Sequence, residues 1–418
     1  MKNASCSLAF IIIHYDYNTD HSAVQSVKAY ASFAAHLILF FSMIKIIENP
    51  PLMNYNREWF IRDQKGLPCI AWMLRGRDIP MRFVIDVFGG DNSPTAVIDG
   101  CMEAMRLNDD FSLILCGDEA RIREELSSHE YDASRVEIVH APDIISCEEQ
   151  PTVAIKRKKE SSLVKALQIT AEKKADCFIS AGSTGAVLAG ATLIVKRIPG
   201  IKRPALAPIL PTLKGPVMLI DCGANVDCKP EYLEQFALMG SAYMRDVLGI
   251  ENPRVALINN GAEEGKGNEL TKAAYRLLKE LDGINFVGNC EGRDVMSGDF
   301  DVLVCDGFVG NTVLKSLEGT AQALLKMLKG ELMSRKRSKF GALFCRNAFR
   351  TLKKKLDYTE YGGAPMLGIN GGIIKAHGSS DTRAICSAIG QARMLTLGRI
   401  TERIAAAVEA MPKREEDA

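Results

Sequence analysis

A series of polar, glycine-rich segments, each following an apolar run of strand length, carries the residues of this chain best suited to chemistry. The first is Gly89-Gly90-Asp91-Asn92, which breaks the run Phe83–Phe88. Glycines at such an end let backbone N–H groups come close to a ligand, and a following helix would point its positive end at an anion. Ser180-Ala-Gly-Ser-Thr-Gly-Ala186 adds the hydroxyls of Ser183 and Thr184 at a helix start, where capping is their alternative use. Asp221-Cys-Gly-Ala-Asn225 follows the next strong run, and the segment Asn259–Asn268 presents Lys266 between two glycines. Arg293 and Asn311 end two later runs, and Lys375-Ala-His-Gly-Ser-Ser-Asp381 contains His377.

Hydroxyls, glycine loops and the cations Lys266, Arg293 and Lys375 belong together if the ligand is phosphate. Lysine supplies a compact point charge and arginine a planar two-pronged grip. The sequence has no GxxxxGK[ST] loop, no GxGxxG after the first strand and no GxSxG around Ser183, so a Walker site, a dinucleotide fingerprint and a serine-hydrolase elbow are not found. Each residue also has a structural reading. Lys266 would then be a solvated loop cation, Arg293 an ion-pair partner of Glu291 or Asp294, His377 a hydrogen-bonded core residue, and the asparagines turn residues.

The elements that must position these groups alternate. Strand candidates are Phe83–Phe88, Phe111–Cys116, Val136–His140, Cys177–Ser180, Val217–Asp221, Val255–Asn259, Asn285–Val287 and Val302–Asp306. Helical periodicity marks Ala96–Leu107, Ser162–Lys174, Thr184–Lys196, Glu231–Leu248, Glu269–Leu281, Thr312–Lys329 and Arg383–Ala407. Such alternation predicts an α/β fold: a three-layer α/β/α Rossmann-like sandwich with a mostly parallel sheet, whose ligands bind beyond the carboxyl ends of the strands. An inserted helical hairpin is expected over 312–356, and an edge strand or hairpin near Ala205–Thr212, where prolines crowd the pattern.

Composition sets the bounds. The chain has 418 residues, 47% hydrophobic and 25% charged, with a formal net charge of +1, which is ordinary globular composition and argues against a general nucleic-acid binder. Its 12 cysteines are scattered, many inside apolar runs, and no CxxC pair occurs, so buried free thiols are expected rather than zinc or disulfides. Residues 1–80 differ from the rest. The stretch Ala29–Ile47 is interrupted by His36, Ser42 and Lys45 and is short for a membrane span. A poorly ordered extension, or a start read too early, is the expectation, with the compact domain running from Met81 to Met411 and a charged tail over 412–418.

Arg335–Lys355 holds nine Lys and Arg and no acid. At about 100° per residue, Lys339, Arg346, Arg350, Lys353 and Lys354 share one face, while Phe340, Phe344, Phe349 and Leu352 spread over the other. That pattern suits the surface of an anionic bilayer, an acidic partner or a second subunit.

In order, GGDNSP, SAGSTGA, DCGANVDCKPEYLEQFALMG, EEGKGNE, VGNCEGRDV, CDGFVGN and YGGAPMLG…KAHGSSD resemble the bacterial phosphate acyltransferase family from Met81 to about Arg399. Ser183, Val87-Phe88 and Asn260-Gly-Ala262 depart from the family pattern. The resemblance implies an enzyme that makes acyl phosphate from acyl–acyl carrier protein and orthophosphate, early in phospholipid synthesis. It also implies a homodimer in the cytoplasm, peripherally attached to the inner face of the membrane near the glycerol-phosphate acyltransferase that consumes the product. Lys266, His377, Lys375 and Asp91 are then the catalytic candidates. Gly89, Gly90, Asn92, Ser183, Thr184, Asn225, Asn268, Arg293 and Asn311 are the substrate-binding candidates, and neither metal nor cofactor is expected. The rival readings are a phosphate acetyl- or butyryltransferase using coenzyme A, and a non-catalytic membrane-binding scaffold.

Overall fold

A computed structural model describes residues 80–355 and 362–411. The leader up to residue 79, Leu356, Tyr361 and the charged tail lie outside the described residues. The chain runs β1 (Met81–Asp86), α1 (Thr95–Leu107), β2 (Phe111–Gly117), α2 (Glu119–Leu126), β3 (Val136–His140), α3 (Pro151–Arg157), α4 (Ser162–Ala171), β4 (Cys177–Ser180) and α5 (Thr184–Gly190). It continues through β5 (Ala205–Leu206), β6 (Ile209–Pro211), β7 (Pro216–Ile220), α6 (Pro230–Asp246), β8 (Arg254–Asn259), α7 (Glu269–Glu280), β9 (Asn285–Glu291) and β10 (Val302–Val304). The rest is α8 (Gly307–Ser334), α9 (Lys336–Phe344), α10 (Arg346–Lys355), β11 (Ala364–Leu367), β12 (Gly372–Lys375), α11 (Thr382–Leu397) and α12 (Ile400–Glu409).

The strands divide between a seven-stranded sheet, order β3-β2-β1-β4-β12-β11-β5, and a five-stranded sheet, order β6-β7-β10-β8-β9. The first is parallel from β3 to β12, and β11 runs antiparallel to both its neighbours β12 and β5; in the second only β6 is antiparallel. The proline-rich stretch is therefore not a hairpin. Its halves β5 and β6 are edge strands of different sheets, where a missing proline N–H breaks no ladder.

Period-two burial builds the layers. Phe83, Ile85, Leu113, Leu115, Ile179 and Ile374 face one core, and Val84, Ile114, Cys116, Phe178 and Ile373 face another. Helices α1 and α11 pack on the first face and α4 on the second. A strand covered on both sides has no polar side, which is why these runs read as continuously apolar. The first core extends into the second sheet through Met218, Ile220, Val255, Leu257, Val302 and Val304, with Phe236 and Tyr243 of α6 among them. The far face of the second sheet meets Val309, Val313 and Leu317 of α8.

The helical arm differs from expectation. α8 is one long helix, but the basic stretch breaks at Cys345 into α9 and α10, so the single wheel drawn through Arg335–Lys355 does not hold. Lys339, Phe340 and Phe344 lie on α9; Arg346, Phe349, Arg350 and Lys353 lie on α10, the side chain of Lys353 being outside the described part. With no acid in the stretch, no i,i+4 ion pair holds the two pieces in one rod, and Lys336, Arg337 and Lys339 crowd the N-terminal half of α9, where the helix dipole disfavours them. The C-terminal helix likewise splits at Gly398 and Arg399, the latter in the left-handed region at φ 49. No described helix is long and apolar enough to cross a membrane.

One close approach fixes α8 against the strand ends. A Cβ on Gly310 would collide with the Asp221 carbonyl oxygen, whereas one on Gly319 meets nothing within 4 Å. Gly310→Ala should lower unfolding stability by about 1–3 kcal/mol through overpacking. Gly319→Ala should raise it by about 0.5–1 kcal/mol through helix propensity. Urea midpoints of the two variants beside the parent check both signs.

Candidate functional site

The last register row of the first sheet is polar where the rows beneath it are apolar. Asp86 of β1 pairs with Ser180 of β4, and Ser180 pairs with Lys375 of β12, so the three side chains leave one face at adjacent positions. That face is covered by α4, whose first residue Ser162 donates to Asp86 Oδ1 at 2.6 Å, while Ser180 Oγ donates to Oδ2 at 2.7 Å. Burial pushes the Asp86 carboxyl above its ordinary value, against the pull of those two hydroxyls. It pushes the Lys375 ammonium down to about 8, and the neighbouring Cys147, Asp86 and Asp91 only partly restore it. The ammonium donates to the carbonyls of Ala376 and Ala181.

Above this row the chain turns tightly. Gly182 N–H donates to Ser180 Oγ at 2.9 Å, and a Cβ on Gly89 would lie 2.6 Å from Asp86 Oδ2 and 2.7 Å from Gly182 N. Glycine at 89 is therefore required by close approach. Asp91 N–H donates to Gly378 O at 2.8 Å, and the Asn92 amide donates to the carbonyls of Ser379 and Ser380 at 3.2 Å. These bonds tie the loop after β1 to the loop after β12.

Together the strand ends enclose a cavity of about 510 Å³. Asp91, Ser183, Thr184, Lys375 and His377 give it polar walls, and Leu206, Pro208, Ile209, Leu210 and Leu314 an apolar one. Asn311, Lys315 and Glu318 of α8 close the far side, with Lys315 Nζ 2.9 Å from Glu318 Oε2. His377 Nδ1 accepts from Ser379 N–H at 3.3 Å and lies 2.8 Å from Ser379 Oγ. Burial first, then the field of Lys315, pushes its pKa down, so the ring is neutral near pH 7 and carries its proton on Nε2.

Six of the residues singled out in the sequence, Asp91, Ser183, Thr184, Asn311, Lys375 and His377, line this cavity. Gly89, Gly90 and Asn92 are not in the lining; they belong to the loop after β1 that is tied to the loop after β12. Ser183 also caps α5 by accepting from Ala186 N–H at 3.5 Å. Asn225 spends its amide on Pro204 O and Asp221 Oδ2 and is not in the lining. Lys266, Asn268 and Arg293 are not in the lining either. Lys266 is exposed after β8, Asn268 caps α7, and Arg293 is 79% exposed and pairs with Glu291 at 2.6 Å and Asp294 at 3.8 Å. Cys147, Lys315, Glu318 and Ser380 were missed. A helix begun at Gly307 puts 311, 314, 315 and 318 on one face, which is the signal that would have found three of the lining positions. Among the described residues no three His, Cys, Asp or Glu side chains are grouped to hold a metal.

The family described as "Fatty acid synthesis protein" matches residues 81–403. The phosphate acyltransferase of Clostridium acetobutylicum is 53% identical over 329 residues, covering 79% of this chain and 99% of its own. That of Clostridium perfringens is 52% identical over 328 residues, covering 78% and 97%. A phosphotransacetylase from Streptococcus pyogenes superposes with a TM-score of 0.50 at 14% identity over 81% of this chain and 100% of its own, a likeness of fold alone. On the family match and the identity to these relatives, the chain belongs to the phosphate acyltransferase family of fatty acid synthesis proteins.

Proposed function

We propose that this chain transfers an acyl group to orthophosphate, taking it from the thioester of an acyl–acyl carrier protein. The observation that carries the reading is one cavity in which a buried lysine and a neutral imidazole face an apolar wall, in a chain about half identical to phosphate acyltransferases. A phosphate oxygen attacks the thioester carbonyl carbon, a C–O bond forms, and the carbonyl oxygen becomes an oxyanion. The C–S bond then breaks and the thiolate leaves, taking the proton that hydrogen phosphate loses in forming the acyl phosphate, while His377 Nε2–H donates a hydrogen bond to the oxyanion and keeps its proton. Lys375, Ser183 and Thr184 hold phosphate, Asp91 and Asn311 orient the reactants, and the Leu206–Leu210 wall takes the acyl chain. Holding the reactants in register can be worth about 7–11 kcal/mol, and one oxyanion donor about 3–4.

Phosphate is itself the nucleophile, so no acyl-enzyme is invoked. In keeping with that, burial holds the Cys222 thiol in the cavity wall well above its ordinary pKa, where it is a poor nucleophile. Lys266 and Arg293 are assigned to phosphate more weakly, from the ends of β8 and β9. A homodimer, attachment to the inner membrane face and a neighbouring glycerol-phosphate acyltransferase complete the reading. Exposed Phe340, Leu343 and Phe344 beside the cations of α9 and α10 support a surface of that kind.

Acyl phosphate, trapped as its hydroxamate, should form with acyl–acyl carrier protein and far less with acyl-CoA; a preference for acyl-CoA would favour the rival transferase. Lys375 is cationic below about pH 8, so kcat/KM for phosphate should fall as pH rises through that value. Lys375→Met should cut it by about 100-fold or more and abolish the alkaline decline. If Lys266→Ala keeps the parent KM for phosphate while His377→Ala loses turnover, the anion is held by the cavity groups alone. Flotation with liposomes should depend on anionic lipid and weaken in Arg346→Glu/Arg350→Glu; lipid-independent behaviour removes the membrane assignment.

A further inference from the structure

Four buried side-chain atoms lack a hydrogen-bond partner among the described residues, and of these only Ser380 Oγ belongs to a residue lining the cavity. Gln391 and Thr396 lie on α11, and His129 Nε2 still has the Asp99 carboxylate 2.9 Å away. Ser380 is 6% exposed. Its backbone is fully engaged: the N–H donates to His377 O at 3.1 Å and the carbonyl accepts from Asn92 at 3.2 Å. The residue is thus pinned between the loops after β1 and β12, and its hydroxyl cannot reach bulk water by a local swing of the loop.

A buried hydroxyl without a partner lowers stability, and alanine would remove the cost. Serine at this place is explained if its partner arrives with the substrate. On the proposed reaction, two candidate acceptors enter the cavity: the thioester carbonyl, a weak neutral acceptor, and the phosphate oxygens, which are charged and accept stronger bonds. Ser380 sits on the loop that follows Lys375 and carries His377, the two groups proposed to meet the charged reactant.

We infer that Ser380 is a phosphate-binding residue, its O–H donating to a phosphate oxygen once the anion occupies the cavity. The inference rests on the proposed reaction only for the identity of the anion. In the empty enzyme the hydroxyl destabilises; in the complex it binds. A residue with a merely structural role would have the opposite signature, since its loss would loosen the empty protein.

Ser380→Ala separates the two. The expected result is an unchanged or higher melting temperature without ligand and a smaller upward shift with inorganic phosphate. KM for phosphate should rise about ten-fold or more, with KM for the acyl donor unchanged. A lower melting temperature of the unliganded variant with normal phosphate affinity makes the residue structural and overturns the inference. No change in any readout overturns it too, as an ordered water would then satisfy the hydroxyl, and so does a rise confined to the acyl-donor KM. The phosphate-induced shift needs no turnover. A parent protein stabilised by phosphate but silent in the hydroxamate assay therefore contradicts the proposed reaction and leaves the Ser380 assignment to be judged on binding.

Discussion

The site depends on burying an acid and a base in a dry sheet, one strand apart. Asp86 and Lys375 flank Ser180 in a single register row and share the face that α4 seals. Burial drives both toward their neutral forms, the carboxyl upward and the ammonium downward. What opposes that drive is local: two serine hydroxyls on the acid, two backbone carbonyls on the lysine, and the field each exerts on the other. Charges placed in such a medium act strongly on a ligand above them, because little solvent screens them. The packing of α4 is therefore a condition of the chemistry as well as of the core.

A second carboxylate sets where the cavity lies. Asp221, fully buried after β7, accepts from Leu206 N–H at 2.8 Å and from Asn225 N–H at 2.6 Å. Leu206 belongs to the first sheet and Asp221 to the end of a strand in the second, so this bond joins the two where the chain crosses between them. Burial pushes the Asp221 carboxyl up to about 6, and the N–H donors around it pull the other way. The two sheets share one apolar core, and their strand ends open onto the same crevice. Ligand sites of open α/β sheets fall at such crossings because loops diverge there and leave room.

Local pattern made much of this legible. A strand buried on both faces has to be apolar throughout, and the glycine-rich breaks had to lie at strand ends, so type and position picked out Asp91, Ser183, Thr184, Asn311, Lys375 and His377, all of which line the cavity. Division into two sheets was not legible, because both sheets use the same apolar grammar and only long-range pairing tells β5 from β6. That is also why Lys266 and Arg293 were grouped with the others: strand-end position is a local property, whereas facing a particular cavity is a global one. Arg293 shows the competing use, held beside Glu291 and Asp294. Ser380 was passed over because serine in a Gly-Ser-Ser-Asp run reads as a turn residue; only its missing partner distinguishes it.

Beside the Lys315–Glu318 pair, part of the resting cavity wall is uncharged. His377 is held neutral, the Cys222 thiol stays protonated, and Lys375 sits close to its switching point. Groups of that kind leave room for a neutral thioester and reserve their strongest response for charge that arrives or develops. Phosphate brings such a charge, and attack on the carbonyl creates another, at a place where N–H and O–H donors are already fixed by the backbone bonds that staple the loops. Preorganised dipoles cost nothing further to reorient when the oxyanion forms, which is the main physical advantage a protein has over water in acyl transfer.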